Sequence, residues 1–405
     1  MLRGALGAAC VGAAGAARGQ GDDSDAERTE RIFDVIREYD AQGEHRTGGY
    51  GDDKCAGWLV RELAGCGLSA KLERFDFTLF SPRRADVVVG VTRRHGVPAF
   101  DGGTTGPQGV SGRLGMLGTN VEIALARIAP SPRGAALEAF EAARASGKYR
   151  AILVVPERGS SHGDLALINA EHFSEPSATP VVQLAGSHVS AFEEAAAAGA
   201  TCRVIVEADR TAASSVNVTA RLRGSAPELA PLVVMTPRSG WFTCAAERGG
   251  GLAAFLEIAR ALSDAPPRRD VLFVASSGHE LGHLGLRAYL AWHKATAASA
   301  HAWLHLGANF AANGGDVIVQ ASSSEFAEFA RAALAKHGHA PDLMVPPGTK
   351  PAGEAREISS RPFVSILGTN SRFHSPDDRW PYAVDLEKTV AISSALVEIA
   401  AELAS

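Results

Sequence analysis

From Pro231 onward, short unbroken apolar runs alternate with stretches of helical spacing. Leu232-Val233-Val234-Met235, Val271-Leu272-Phe273-Val274-Ala275, Ala302-Trp303-Leu304-His305-Leu306, Asp316-Val317-Ile318-Val319-Gln320 and Phe363-Val364-Ser365-Ile366-Leu367 each predict a strand. Runs without polar alternation suit strands covered on both faces. Between them, a Gly249-Gly250-Gly251 turn opens a helix bearing Leu252, Phe255, Leu256, Ile258, Ala259 and Leu262. Further helical patterns pass through Leu286, Tyr289 and Leu290 and through Glu325–Lys336. Asp385 is a good N-cap for a last helix through Leu386, Val390, Leu396, Ile399 and Leu403. Such alternation predicts an α/β fold: a mixed, mostly parallel sheet sandwiched by helices.

The amino-terminal half reads differently. An amphipathic helix starts at Glu27, with Ile32, Phe33, Val35, Ile36 and Tyr39 on or near one face. A polar turn, His45–Gly49, leads to a helix over Asp53–Gly65 and then a strand over Leu72–Phe77. From Ser81 to Ala220, β-rich runs at 86–89, 151–155, 180–184 and 203–206 are separated by Gly- and Pro-rich turns, with helical segments near Ala135–Ala145 and Ser190–Ala198. The expected organisation is a leader or linker at 1–26, a main domain from 27–80 and 220–405, and a smaller α/β module inserted at 81–219. Met1–Gln20 is Ala/Gly-rich, with Arg3 ahead of a weakly apolar run. Those residues leave two readings open, export through a weak signal or cytoplasmic residence with a disordered leader.

Composition narrows the function classes. A chain of 405 residues predicts two domains, and 46% hydrophobic content leaves ample core. A net charge of −5 gives no electrostatic case for nucleic-acid binding. No apolar run approaches the roughly 20 residues of a transmembrane helix. Cys10, Cys55, Cys66, Cys202 and Cys244 are scattered without CxxC spacing, which predicts free thiols in or near the core. His45, His162, His172 and His188 read as loop or surface residues, and Asn217-Val218-Thr219 as an accidental glycosylation match. Oligomeric state has no signal here.

Candidate chemistry gathers where the strands end. Thr236-Pro237-Arg238, Glu247-Arg248, His279-Glu280, Gly307-Ala308-Asn309 and His374-Ser375-Pro376-Asp377-Asp378 all follow apolar runs, and open α/β sheets bind ligands beyond the carboxyl ends of their strands. With VLFVASSGHELGHLG (271–285) and RFHSPDDRWPYAVDLEKT (372–389), this arrangement resembles the zinc exopeptidases: bacterial leucyl aminopeptidases, glutamate carboxypeptidase II and glutaminyl cyclases. The resemblance covers 27–80 and 220–405. The insert, in KYRAILVVPERG and ATPVVQLAG, resembles a protease-associated domain.

That resemblance implies two zinc ions held by a His-x-Asp pair, a bridging Asp, a Glu-Glu pair, a later Asp and a final His. Here the His-x-Asp pair reads Thr236-Pro237-Arg238, the bridging acid is Glu247, the Glu-Glu pair is His279-Glu280, the later Asp falls near Gly307 or Ala308, and the final His is His374. One ion has lost most of its donors. The other keeps Glu247, Glu280 and His374, which suffice for a mononuclear catalytic zinc with water in the fourth position. In this reading His279 is the general base, with a reference pKa near 6.5. Arg238 holds a substrate carboxylate or the oxyanion, and Asn309 and Glu354 are further substrate contacts.

A second metal reading uses the same letters. His279-Glu280-Leu281-Gly282-His283 is an HExxH motif, in which His279 and His283 would bind zinc one helical turn apart and Glu280 would act as base. It requires helix from His279 onward. The function expected is metal-dependent hydrolysis of peptide or other amide bonds, exopeptidase-like, with one zinc. The alternative is a catalytically inactive homologue acting as a binding module, with Arg238 paired to Glu247 in place of metal.

Overall fold

The structure, a computed structural model, describes residues 25–156 and 164–405. The leader expected at 1–26, apart from its last two residues, lies outside these, as do Cys10 and His162.

Every apolar run predicted after Pro231 is a strand. Leu232–Pro237 lies in the middle of the sheet, parallel to Val271–Ser276 on one side and to Ala302–Leu306 on the other. Phe363–Gly368 continues the parallel set, and Val317–Ala321 joins it antiparallel near the edge. Strands buried on both faces are why these runs carry no polar alternation. One face packs the helices Asp25–Ala41, Tyr50–Gly65, Gly250–Asp264 and Leu386–Leu403 over a core including Ile32, Leu59, Phe255, Phe273 and Leu396. The other packs Leu284–Trp292 through Leu286 and Tyr289 against Trp303 and Ile358. Asp385 caps the last helix as expected, its carboxylate accepting from Lys388 N at 3.0 Å.

Two strands differ sharply from expectation. Lys71–Val89 and Thr201–Leu222 run antiparallel along nearly their whole length, from Lys71 opposite Thr219 to Val89 opposite Cys202. The expected boundaries at 81 and 220 therefore fall inside continuous strands. The Thr201–Leu222 strand serves two cores: Cys202, Val204 and Val206 pack with Leu114, Ile123 and Leu153 of the insert, while Val216, Val218 and Ala220 pack into the main core. Between them lies the half-exposed to exposed stretch Glu207-Ala208-Asp209-Arg210, whose polarity interrupts the apolar pattern as a linker would. Cys55, Cys66, Cys202 and Cys244 are buried free thiols.

Candidate metal centre

The strand Val271–Ser276 hands the chain to a turn, not to a helix. Gly278 (φ 85), Gly282 (φ 73) and His283 (φ 62) are left-handed, and the helix begins at Leu284. The helix that the HExxH reading requires from His279 is thus absent at that position. A side chain at Gly282 would place its Cβ 2.8 Å from Glu171 O; only glycine allows that approach at this φ. On this turn His279 and Glu280 serve different networks.

Glu280 is fully buried and its two oxygens are taken: Oε1 accepts from Thr47 N at 2.7 Å and Oε2 from Ser239 Oγ at 2.8 Å. Burial raises its carboxyl pKa. His279 instead turns its Nδ1 to the buried Glu354 carboxylate, and its Nε2 lies 3.3 Å from Asn169 Nδ2. Burial, reinforced by the nearby Arg248 cation, pushes the His279 pKa down to about 3, so the imidazole is neutral. The general base with an ordinary histidine pKa expected here is not what this environment makes.

Glu247 sits on a buried π-helical turn, Ala245–Gly249, entered through left-handed Cys244. The Asp378 carboxylate anchors that turn, accepting from Ala246 N at 2.8 Å and Glu247 N at 3.0 Å. Burial and the neighbouring Glu247 raise the Asp378 pKa to about 7, against the pull of those two amides. Glu247 Oε1 accepts from Arg248 Nη2 at 2.6 Å; Oε2 is buried and makes no hydrogen bond. His374, left-handed at φ 58, donates Nδ1–H to Leu167 O at 2.7 Å, since a carbonyl can only accept. Its Nε2 lies 3.6 Å from Glu247 Oε1.

Glu247, His279 and His374 thus each bring one ligand-type atom within 4.8 Å of the others, all buried. His279, His283 and Glu354 form a second such group. Glu280 is in neither group. Among the described residues, the four non-glycine residues with left-handed backbone are Cys244, His283, Asn309 and His374. All four lie in these groups or beside them, a concentration of uncommon backbone typical of functional sites.

The model of peptidase family M28 matches residues 217–399. The resemblance to the M28 peptidases holds over that segment. No curated protein matches the chain. Among solved structures, a zinc aminopeptidase from Bacillus subtilis aligns at 18% identity over 91% of this chain and 94% of its own, TM-score 0.71. An aminopeptidase from Aneurinibacillus sp. strain AM-1 aligns at 16% over 93% and 95%, TM-score 0.70. A peptidase M28 precursor from Shewanella amazonensis aligns at 16% over 94% and 98%, TM-score 0.70. At these identities the likeness is one of fold, a mixed α/β sheet flanked by helices. The M28 match over 217–399 supports a metal-dependent peptide hydrolase.

On one side of the cleft the expected site residues are committed to the protein itself. Arg238, expected to meet substrate, is fully buried and pairs with Asp52 at 2.6 Å while also donating to Asp52 O and Val216 O. Its guanidinium is committed to the protein interior, and its partner is Asp52, not Glu247. Thr236 Oγ1 donates to Leu306 O at 3.0 Å. A Cβ on Gly307 would stand 2.9 Å from Ile366 O, so an acid there would not fit. Asn309 Oδ1 accepts from Asn370 Nδ2 at 3.2 Å, and its backbone N donates to Glu247 O at 3.3 Å. Glu354, expected at the substrate, lies among His279, His283 and His305.

Several participants were given no role by the sequence. Arg248 donates Nε–H to Ser239 O and pairs with Glu247, and its Nη1 makes no hydrogen bond. Leu167 and Asn169 come from the insert, which the sequence placed away from the site. Ala170 N also donates to Glu280 O at 2.8 Å, and Trp241 Nε1 holds Asn169 Oδ1 at 3.1 Å. Asp52 lies in the first turn of the second helix, Tyr50–Gly65, one residue before the start that the sequence predicted.

Proposed function

We propose that the chain is a metal-dependent hydrolase of peptide or other amide bonds, exopeptidase-like, that holds a single zinc ion at Glu247, His279 and His374. The observation that carries this reading is the buried convergence of a carboxylate and two imidazoles within 4.8 Å, with Glu247 Oε2 left without a hydrogen bond. A bare buried carboxylate oxygen is costly unless something cationic meets it, and two histidines with one carboxylate are a catalytic zinc donor set. His279 takes the place that the sequence offered to Glu280, whose oxygens hold Thr47 and Ser239.

Zinc, when bound, would polarise the scissile carbonyl and lower the pKa of its water. The protein's own residues prepare the rest. Leu167 O and the Glu354 carboxylate hold the Nδ1 sides of His374 and His279, and a partner at that side fixes tautomer and ring orientation. Burial keeps His279 neutral, the form that ligates. Arg248, as deeply buried as Arg238, pairs with Glu247 and donates to Ser239 O, so it holds the ligand carboxylate in place and balances its charge. Asn169, held by Trp241, covers His279, so an entering substrate displaces that contact.

Elemental analysis of untagged protein, with peptide-panel hydrolysis before and after chelation, tests the reading. One zinc per chain and chelator-sensitive cleavage are expected. Metal-free protein that neither takes up zinc nor cleaves any peptide, but binds one tightly, would instead identify a binding module.

A further inference from the structure

Beside the Glu247 centre stands a second group, which shares His279 with it and in which His283 and His305 have no part in the hydrolase reading. Glu354 is 1% exposed and lies on the short 3-10 segment Gly353–Ile358. Three imidazoles surround its carboxylate. His279 Nδ1 bonds Oε1, His305 Nε2 lies 3.4 Å from Oε2, and His283 completes a group whose donor atoms lie within 4.8 Å of one another. The His279 and His283 rings stand 5.3 Å apart.

Two independent details say that this is more than a buried acid with neighbours. His305 is 1% exposed, its Nδ1 bonds Ser365 Oγ at 2.9 Å, and its Nε2 makes no hydrogen bond although it faces Glu354. His283 is held left-handed at φ 62, a conformation that costs a non-glycine residue energy. Its Nδ1 lies 3.2 Å from Glu357 Oε1. A carboxylate behind one ring nitrogen leaves the other as a lone-pair donor, the arrangement that orients metal-ligating histidines. Nε2 of His283 accepts one long hydrogen bond, from Arg356 Nη2 at 3.4 Å, and the short ion pair of that arginine is with Glu171.

We propose that His279, His283 and Glu354 form a second divalent-cation site, distinct from the Glu247 centre and sharing only His279 with it. His305 stands by as a further imidazole, and Glu357 orients His283. Imidazoles and one carboxylate suit zinc, cobalt or nickel over magnesium or calcium, which prefer all-oxygen shells. The site does not depend on the zinc assignment at Glu247, and either can fail without the other.

The test uses the full chain stripped of metal and titrated with Co2+, followed by visible absorption. In His374→Ala, which disables the Glu247 centre, one equivalent of Co2+ still binds. Adding His283→Ala, or Glu354→Gln, lowers that affinity more than tenfold, and Glu357→Gln lowers it by the roughly 10–100-fold typical of a lost orienting partner. Unchanged binding in both His283→Ala and Glu354→Gln would overturn the proposal. Crystals of the unmodified chain soaked in Co2+ remove any dependence on variant folding: an anomalous peak among His279, His283 and Glu354 supports the site. A peak only among Glu247, His279 and His374 sinks it while supporting the first centre, and no peak in the cleft sinks both.

Discussion

The two halves of the cleft solve the same electrostatic problem in opposite ways. On the Arg238 side, buried charge is neutralised by protein: Arg238 meets Asp52 at 2.6 Å, and Thr236 and Gly307 offer nothing to a metal. On the His374 side, the imidazoles of His279, His283 and His374 converge with Glu247 and Glu354, and Glu247 Oε2 and His305 Nε2 make no hydrogen bond. A buried charge must be paired or must coordinate a cation. The difference teaches that two sides of one cleft can balance buried charge differently: a fixed guanidinium meets an acid on one side, while imidazoles and carboxylates converge on the other.

The comparison breaks first at Asp52. Asp52→Ala strands the Arg238 cation in the interior and should cost about 3–5 kcal/mol of stability, whereas a double change of Asp52→Leu with Arg238→Met recovers most of it. Urea unfolding measures both. A single-variant loss below about 1 kcal/mol would mean that the pair does not carry the charge balance of that side.

Asp378, beneath Glu247, sharpens the comparison through pH. Its folded pKa of about 7 lies above the unfolded value near 3.9, so the folded state binds the extra proton between those limits. Its contribution therefore makes stability fall as pH rises from about 4 to 7, by up to about 4 kcal/mol. His45 and His279, both pushed down to about 3 by burial, act oppositely: their contribution is lost as pH falls below about 6.5. The stability difference between Asp378→Asn and the parent isolates the acid. A difference that stays flat from pH 4 to 7 would remove Asp378 from the account.

Glu280 tests which group ties the turn and which binds metal. Glu280→Ala leaves the Thr47 N–H and Ser239 hydroxyl without their acceptor, at about 1–3 kcal/mol for each group left unsatisfied. Cobalt affinity should fall less than in His279→Ala. The reverse order in spectroscopic titration would return Glu280 to the ligand set.

The smallest effect belongs to the insert. Asn169→Ala removes one hydrogen bond to Trp241 and the contact to His279, costing about 1 kcal/mol. Trp241 emission should shift to the red as water enters. An unchanged spectrum would mean that the insert does not seal the site.

Local pattern determined much of this protein. Apolar runs without alternation required strands buried on both faces, and Val271–Ser276, Ala302–Leu306 and Phe363–Gly368 are where they were expected. That Glu247, His279, Glu280 and His374 would come near one edge was legible for the same reason, because strand ends of a parallel set share one edge; the ligand set expected there was Glu247, Glu280 and His374. The rest depended on three dimensions. Whether Glu280 or His279 faced the centre turned on a left-handed loop that Gly282 permits against Glu171. That Arg238 would find Asp52, 186 residues away in sequence, depended on how the second helix packs. The insert reached His374 only because two long strands carry one sheet through both cores. Periodicity records which side of an element is buried; it does not record which distant group will be there to meet it.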